Sequence, residues 1–147
     1  MKTYLLDINL LMALFWTNHE QHKAATSWFG AHVESFWATC PLTQAGFVRV
    51  SSNPRVFPEV PTPQKAIELL EVNLHHPKHR FWEDDIPFSQ AVAPFAGLLK
   101  GHQQLTDAYL LGLAIRRRGI LATFDEAIAG LLEPKSQRHH SLEILPH

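Results

Sequence analysis

The sequence predicts an α/β fold with a mostly parallel central sheet of four to five strands, in a single domain spanning residues 1–147. Three observations carry this expectation. Strand-like segments alternate with helix-like ones along the whole chain. The strand-like segments are continuously apolar rather than alternating, as in a sheet covered by helices on both faces. Aspartates recur where a strand ends or a helix begins, at Asp7, Asp107 and Asp125.

The elements follow in order. Tyr4 to Ile8 reads as a first strand that meets a carboxylate at Asp7, and Asn9 is placed to cap a helix running to Trp16. Lys23 to Phe29 resume a helical pattern with Ala24, Ala25, Trp28 and Phe29 on one face, and Gly30 is the expected stop. Phe36 to Thr39 is a second strand, closed by Pro41. Thr43 to Ser51 is a helix broken at Ser52-Asn53-Pro54, because a residue before proline avoids the α region. Residues 54–63 hold four prolines and read as a loop. Thr62 then caps a helix that Pro63 opens. His79 to Trp82 is a third strand, and Glu83-Asp84-Asp85 an acidic turn. Phe88 to Leu99 is a helix weakened by Pro94. Thr106 caps a helix from Asp107 to Arg118, ended by Gly119. Ile120 to Phe124 is a fourth strand with Asp125 at its end, followed by a short helix through Leu132 and a last strand, Leu142 to Leu145.

Composition narrows the function classes. Hydrophobic residues make up 46% and charged residues 18%, a globular balance. The net charge of -1 means that nucleic-acid binding would need a local patch or a metal-bound phosphate rather than a strong overall field. The single cysteine, Cys40, excludes an intrachain disulfide and fits a reducing cytoplasm. The start lacks a cleavable signal pattern, and no apolar run is long enough to span a bilayer. The ten histidines show no zinc-type spacing. His75-His76 and His139-His140 are adjacent pairs without a cysteine partner and read as structural or surface residues.

The acids carry the chemistry. Taken singly, Asp107 and Asp125 read first as helix caps. Asp7 differs, because it is embedded in Leu5-Leu6-Asp7-Ile8 and burying an unpaired carboxylate costs several kcal/mol. In an α/β fold, strand ends and helix starts share one edge of the sheet, so the three carboxylates are expected to converge there. Oxygen ligands of this kind suit Mg²⁺ or Mn²⁺. Such an ion can bind a phosphodiester oxygen and activate water. Arg116-Arg117-Arg118 would be phosphate contacts or, more simply, cations complementing a helix C-terminus. Thr123 would bond a ligand or be an ordinary strand threonine.

Four motifs in order, Leu5-Leu6-Asp7-Ile8-Asn9, Thr43 to Val50 with Ser52-Asn53-Pro54, Leu105-Thr106-Asp107-Ala108-Tyr109-Leu110, and Ala122-Thr123-Phe124-Asp125, together resemble the PIN-domain ribonucleases, specifically the VapC toxins of type II toxin–antitoxin systems. The resemblance implies a three-layer α/β/α fold and Mg²⁺-dependent endoribonuclease activity. It also implies a cognate VapB-type antitoxin and a homodimer. By motif, Asp7 and Asp107 match the principal metal-binding acids and Asp125 a further acid of the cluster. One position departs: the family commonly has glutamate where this chain has Gln44. An amide can ligate weakly or orient water but cannot act as a carboxylate base. Asp84 or Asp85 would be substitutes if they were not simply an exposed turn.

Two other readings compete. A PIN scaffold weakened by Gln44 would act only as an RNA- or antitoxin-binding module. An aspartyl phosphatase would use Asp7 as nucleophile, but it wants a second acid where Asn9 stands. The aromatic face around Trp28, Phe29 and Trp37 reads as core packing, or as part of a partner groove or dimer contact.

Overall fold

A computed structural model describes residues 1–147. Five short apolar runs become strands: β1 (Thr3–Leu6), β2 (Phe36–Thr39), β3 (His79–Phe81), β4 (Ile120–Thr123) and β5 (Leu142–Ile144). They form one sheet in the order β3-β2-β1-β4-β5, and every neighbouring pair is parallel. Leu5 sits across from Ala38 on one side and Leu121 on the other.

Alternate residues of the central strands feed two cores, so the sheet is the middle of three layers. Leu5, Ala38 and Leu121 face α5 (Phe88–Val92) and α6 (Leu105–Arg116) through Ala91, Leu110 and Leu113. Tyr4, Leu6, Trp37 and Ala122 face the other way. That side is covered by α1 (Ile8–Phe15), α2 (His22–Ala31), α3 (Pro41–Ser51) and α4 (Pro63–Leu74). Phe47 of α3 is fully buried there, stacked on Trp16 and edge-on to Phe15. The uninterrupted apolarity of the strands follows from this double burial.

Several boundaries differ from expectation for local reasons. The cap of α1 is Asp7, whose carboxylate accepts from the Ile8 N–H at 2.7 Å; Asn9 lies inside the helix. Pro41 opens α3 rather than merely closing β2, since the first helical position needs no N–H. Thr62 caps α4 as expected, accepting from the Lys65 N–H. Gly30 lies within α2, which runs on to Ala31. Pro94 splits the expected long helix into α5 and a 3₁₀ segment, Ala93–Leu98. The last acidic strand end is followed by a 3₁₀ turn, Glu126–Leu131, instead of an α-helix.

The end of α6 is instructive. The Gly119 N–H reaches the Ala114 carbonyl and the Arg118 N–H the Ile115 carbonyl, and the left-handed residue is Arg118, with φ of 55°. Gly119 is needed for another reason: a Cβ there would meet the Thr3 carbonyl oxygen at 2.8 Å and the Trp82 ring at 2.6 Å. The glycine serves packing against β1, and an arginine takes the left-handed turn.

The strand order places β1 at the centre. The chain builds outward from it through β2 and β3, then returns to its other side with β4 and β5. The carboxyl ends of β1 and β4 therefore flank the point where the direction of growth reverses, where open α/β sheets form their crevice. No helix is long and apolar enough to cross a membrane.

Candidate acidic site at the carboxyl edge of the sheet

Asp7 follows β1 directly and Asp125 follows β4 after Phe124. The Asp7 N–H extends the ladder to the Ala122 carbonyl, which fixes the backbone at the strand end. Asp7 is only 4% exposed, yet neither carboxylate oxygen is orphaned. One accepts from the Ile8 N–H and the other from the Thr123 hydroxyl at 2.7 Å. Burial pushes the Asp7 pKa up, these two hydrogen bonds pull it back, and Asp125 adds to the rise.

Thr123 is the hub. Its buried hydroxyl donates to Asp7 and accepts from the Asn9 side-chain amide at 3.1 Å and from the Asp125 N–H at 3.0 Å. The Asn9 carbonyl oxygen accepts from the Phe124 N–H, which sets the amide so that its nitrogen faces Thr123. Asp125 in turn caps the next turn by accepting from the Ala127 N–H. Thr123 is thus a positioning residue that ties the start of α1 to the end of β4. Asn9, which the phosphatase reading needed as an acid, instead braces that junction.

Asp107 lies in the first turn of α6, which begins at Leu105 after Gln104 without a side-chain cap; Thr106 is not the cap. Its pKa is raised to about 7, chiefly by burial and then by the Asp7 and Asp125 carboxylates. Asp107 and Asp125 line a cavity of about 510 Å³ with Lys100, His102 and Gln104, whereas Asp7 is buried and is not among its lining residues. The three acids therefore meet electrostatically on one edge.

The other expected contributors are elsewhere. The arginines lie at the far end of α6, roughly 18 Å from its start for twelve helical residues. There Arg117 pairs with Asp85 and donates to the Glu83 carbonyl. Asp84 lines a different cavity. The Gln44 amide nitrogen donates to Thr39 Oγ1 at 3.0 Å, and that oxygen lies 2.7 Å from His79 Nε2. Thr39 Oγ1 thus bridges the Gln44 amide and the His79 ring, whose pKa is lowered chiefly by burial. A glutamate could not make the Gln44 donation. This Gln44–Thr39–His79 chain joins β2, α3 and β3, and no spacing in the sequence announces it.

The donor set fits a hard divalent cation. It consists of oxygens only, it gathers negative charge, and the two ion pairs of the chain, His32–Glu143 and Arg117–Asp85, leave the three acids without a cationic side-chain partner. No three His, Cys, Asp or Glu side chains close around one point, so the acids line an open edge rather than a cage.

The raised Asp107 pKa has a testable sign. Between the unfolded value of 3.8 and the folded value of about 7, the folded protein holds a proton that the unfolded chain releases. In chelator, this contribution to stability is complete below the lower value and is lost as pH rises through about 7. The expected loss is about 1–2 kcal/mol, discounted because Asp107 is partly open to water. Urea midpoints in EDTA at pH 5 and pH 8, compared with those of Asp107→Asn, isolate it; equal pH dependence in the two proteins would refute it.

Comparison with known proteins gives a consistent picture. Residues 4–131 match the family described as PIN domain. The chain is 43% identical over 127 residues to Ribonuclease VapC39 of Mycobacterium tuberculosis, covering 86% of this chain and 91% of the relative. It is 44% identical over 132 residues to Ribonuclease VapC38 of the same species, with 89% and 91% covered. In fold it is similar to a chain of VapBC2 from Rickettsia felis, solved bound to a promoter DNA fragment: TM-score 0.62, 14% identity, 98% of this chain and 99% of that one. It is also similar to M. tuberculosis VapC20, a Sarcin-Ricin loop cleaving toxin: TM-score 0.60, 10% identity, 86% and 92% covered.

Proposed function

The chain belongs to the PIN-domain family and to its VapC ribonuclease branch, and from that premise we propose that it is a toxin of a type II toxin–antitoxin system that cleaves RNA phosphodiester bonds at the Asp7–Asp107–Asp125 edge. The observation that carries this reading is the arrangement of three mutually repelling carboxylates at the crevice of the sheet, with Asp7 and Asp125 tied together through Thr123 and none of the three given a cationic side-chain partner.

Asp7 and Asp107 would hold Mg²⁺, or Mn²⁺ in its place. Bound there, the ion would supply charge neutralisation at the phosphate and a lowered pKa for water. The residues do the rest. Thr123 holds the Asp7 carboxylate in one orientation, so that binding requires little reorganisation. Asp107 opens onto the cavity beside Asp125, where its carboxylate would meet the ion, and binding would displace the proton that burial and the neighbouring carboxylates favour there. Asp125 adds negative charge and orients the turn that follows β4. Lys100 and His102, which line the same cavity, would offset the charge of an entering phosphate.

The partner reading is an antitoxin of the VapB type. The apolar groove of about 480 Å³ bordered by Phe15, Phe29, Trp37, Val72 and His76 is the surface it would cover. Trp37 itself is buried, and Trp28 packs on Tyr4 and His32 and donates to Glu143, so of the three aromatic residues only Phe29 and the edge of Trp37 border the groove. The chain would act as one domain, in the cytoplasm, as a homodimer.

Antitoxin-free protein incubated with structured RNAs tests the reading. Cuts are expected in Mg²⁺ or Mn²⁺ and none in EDTA. RNA binding without cleavage in either metal would establish the weakened-scaffold reading instead.

A further inference from the structure

We propose that a second pocket on the same edge, bounded by Leu42, Phe88, Leu105 and Tyr109 with Asp84 at its rim, takes one nucleobase of the RNA strand beside the scissile phosphate, and that it prefers guanine. The inference rests on the ribonuclease reading for its choice of ligand and on the following geometry for its place.

The pocket measures about 300 Å³ and includes Thr106. Each wall comes from the carboxyl edge of the sheet. Leu42 is in the first turn of α3, just after β2, and Asp84 lies three residues beyond β3. Leu105 and Thr106 open α6 immediately before Asp107. The first turn of α6 therefore separates two cavities. The polar one holds Asp107, Asp125, Lys100 and His102; the other is largely apolar. A strand whose phosphate reaches the acids has its neighbouring nucleotide against this apolar wall.

The wall is built for a flat ring. Phe88 is 49% exposed and Leu105 is 40% exposed, and both line this one pocket. The Phe88 ring lies parallel to that of Tyr109, with 3° between planes and 6.1 Å between centroids, so its orientation is set by packing while half its surface stays open. Tyr109 is itself anchored by its hydroxyl, which donates to the Ile86 carbonyl. A fixed, half-open aromatic face is what unstacked bases of single-stranded RNA stack upon.

Asp84 sets the preference. Its neighbour Asp85 is taken by Arg117, whereas Asp84 makes no ion pair. A carboxylate only accepts hydrogen bonds, so it repels a phosphate and selects a base edge that donates. Guanine offers two adjacent N–H groups on its Watson–Crick edge, which a carboxylate can accept together; uracil offers one. Guanine also presents a purine face to Phe88.

The test uses the full chain and short RNAs that differ only in the nucleotides flanking the cut. Wild type is expected to favour guanine at one flanking position by about tenfold in kcat/KM. Phe88→Ala should lower kcat/KM about tenfold, chiefly through KM, and Phe88→Trp should restore it. Asp84→Asn should flatten the guanine preference at that position and leave the others unchanged. Both side chains are exposed, so thermal melts should match wild type and exclude misfolding. Binding of a guanine-containing oligonucleotide by Asp7→Asn protein in EDTA, with and without Phe88→Ala, gives a readout that needs no cleavage. If wild type cuts RNA and neither Phe88→Ala nor Asp84→Asn changes the pattern, the pocket is not a base site while the ribonuclease reading stands. If wild type does not cut but oligonucleotide binding falls with Phe88→Ala, the pocket stands and the nuclease reading fails. Variants that alter only the capture of an antitoxin segment would make this a protein contact and overturn the proposal.

Discussion

Asparagine at position 7 is expected to abolish metal-dependent RNA cleavage, with kcat/KM falling by about 10³-fold or more. The substitution keeps the shape of the side chain and removes its charge. The asparagine oxygen can still accept from the Ile8 N–H. The other carboxylate oxygen, which now accepts from the Thr123 hydroxyl, becomes a donor. Thr123 already accepts from Asn9 and from the Asp125 N–H, so it has no good way to receive a third proton. The loss therefore reaches the whole hub as well as the charge. Stability in chelator should change little, by about 1 kcal/mol or less, because relief of a buried charge and its repulsion of Asp107 and Asp125 offsets the lost charge-assisted hydrogen bond. Thermal melts should then show a Mg²⁺-dependent rise for wild type and none for the variant. A variant that keeps more than about a tenth of the wild-type rate would remove Asp7 from the centre of the site.

The same residue shows how far the sequence can be read. In sequence, cap and site are alternatives for an aspartate between a strand and a helix, yet Asp7 is both: it accepts from Ile8 and also faces Asp125 and Asp107 across the edge. Asp125 likewise caps the following turn. Capping fixes where the carboxylate sits, which is what an ion site needs. The strands were legible because double burial makes them uniformly apolar. Their order was not, because nothing in the spacing says that β4 joins β1 rather than β3. The Thr123 hub was invisible for the same reason: it links residues more than a hundred positions apart. Helix ends were misplaced where tertiary contact overrides local preference, as with Gly119, which packs on β1 while Arg118 takes the left-handed conformation.

Gly112 lies in the middle of the leucine-rich helix α6, and alanine there is expected to destabilise the protein by about 3 kcal/mol. Local propensity points the other way, since alanine exceeds glycine in a helix interior by about 1 kcal/mol. Contact decides the sign. A Cβ at position 112 would lie 2.1 Å from the Ala91 carbonyl oxygen and 2.7 Å from its carbon. Those are backbone atoms of α5, so no side-chain rotation relieves the clash, and the two helices must separate. The neighbours Leu110, Leu111 and Leu113 are fully buried, so α6 cannot shift without opening the core beneath it. Asp107 rides on the same helix, and a displacement of about 1 Å at the acidic edge should cost a further tenfold or more in kcat/KM. Gly30 in α2 is the matched control, because a Cβ there meets nothing within 4 Å. Gly30→Ala should raise stability by about 0.5–1 kcal/mol. Urea denaturation of both variants separates propensity from packing, and a Gly112→Ala protein as stable as wild type would mean that α5 and α6 are not in the close contact on which the placement of Asp107 depends.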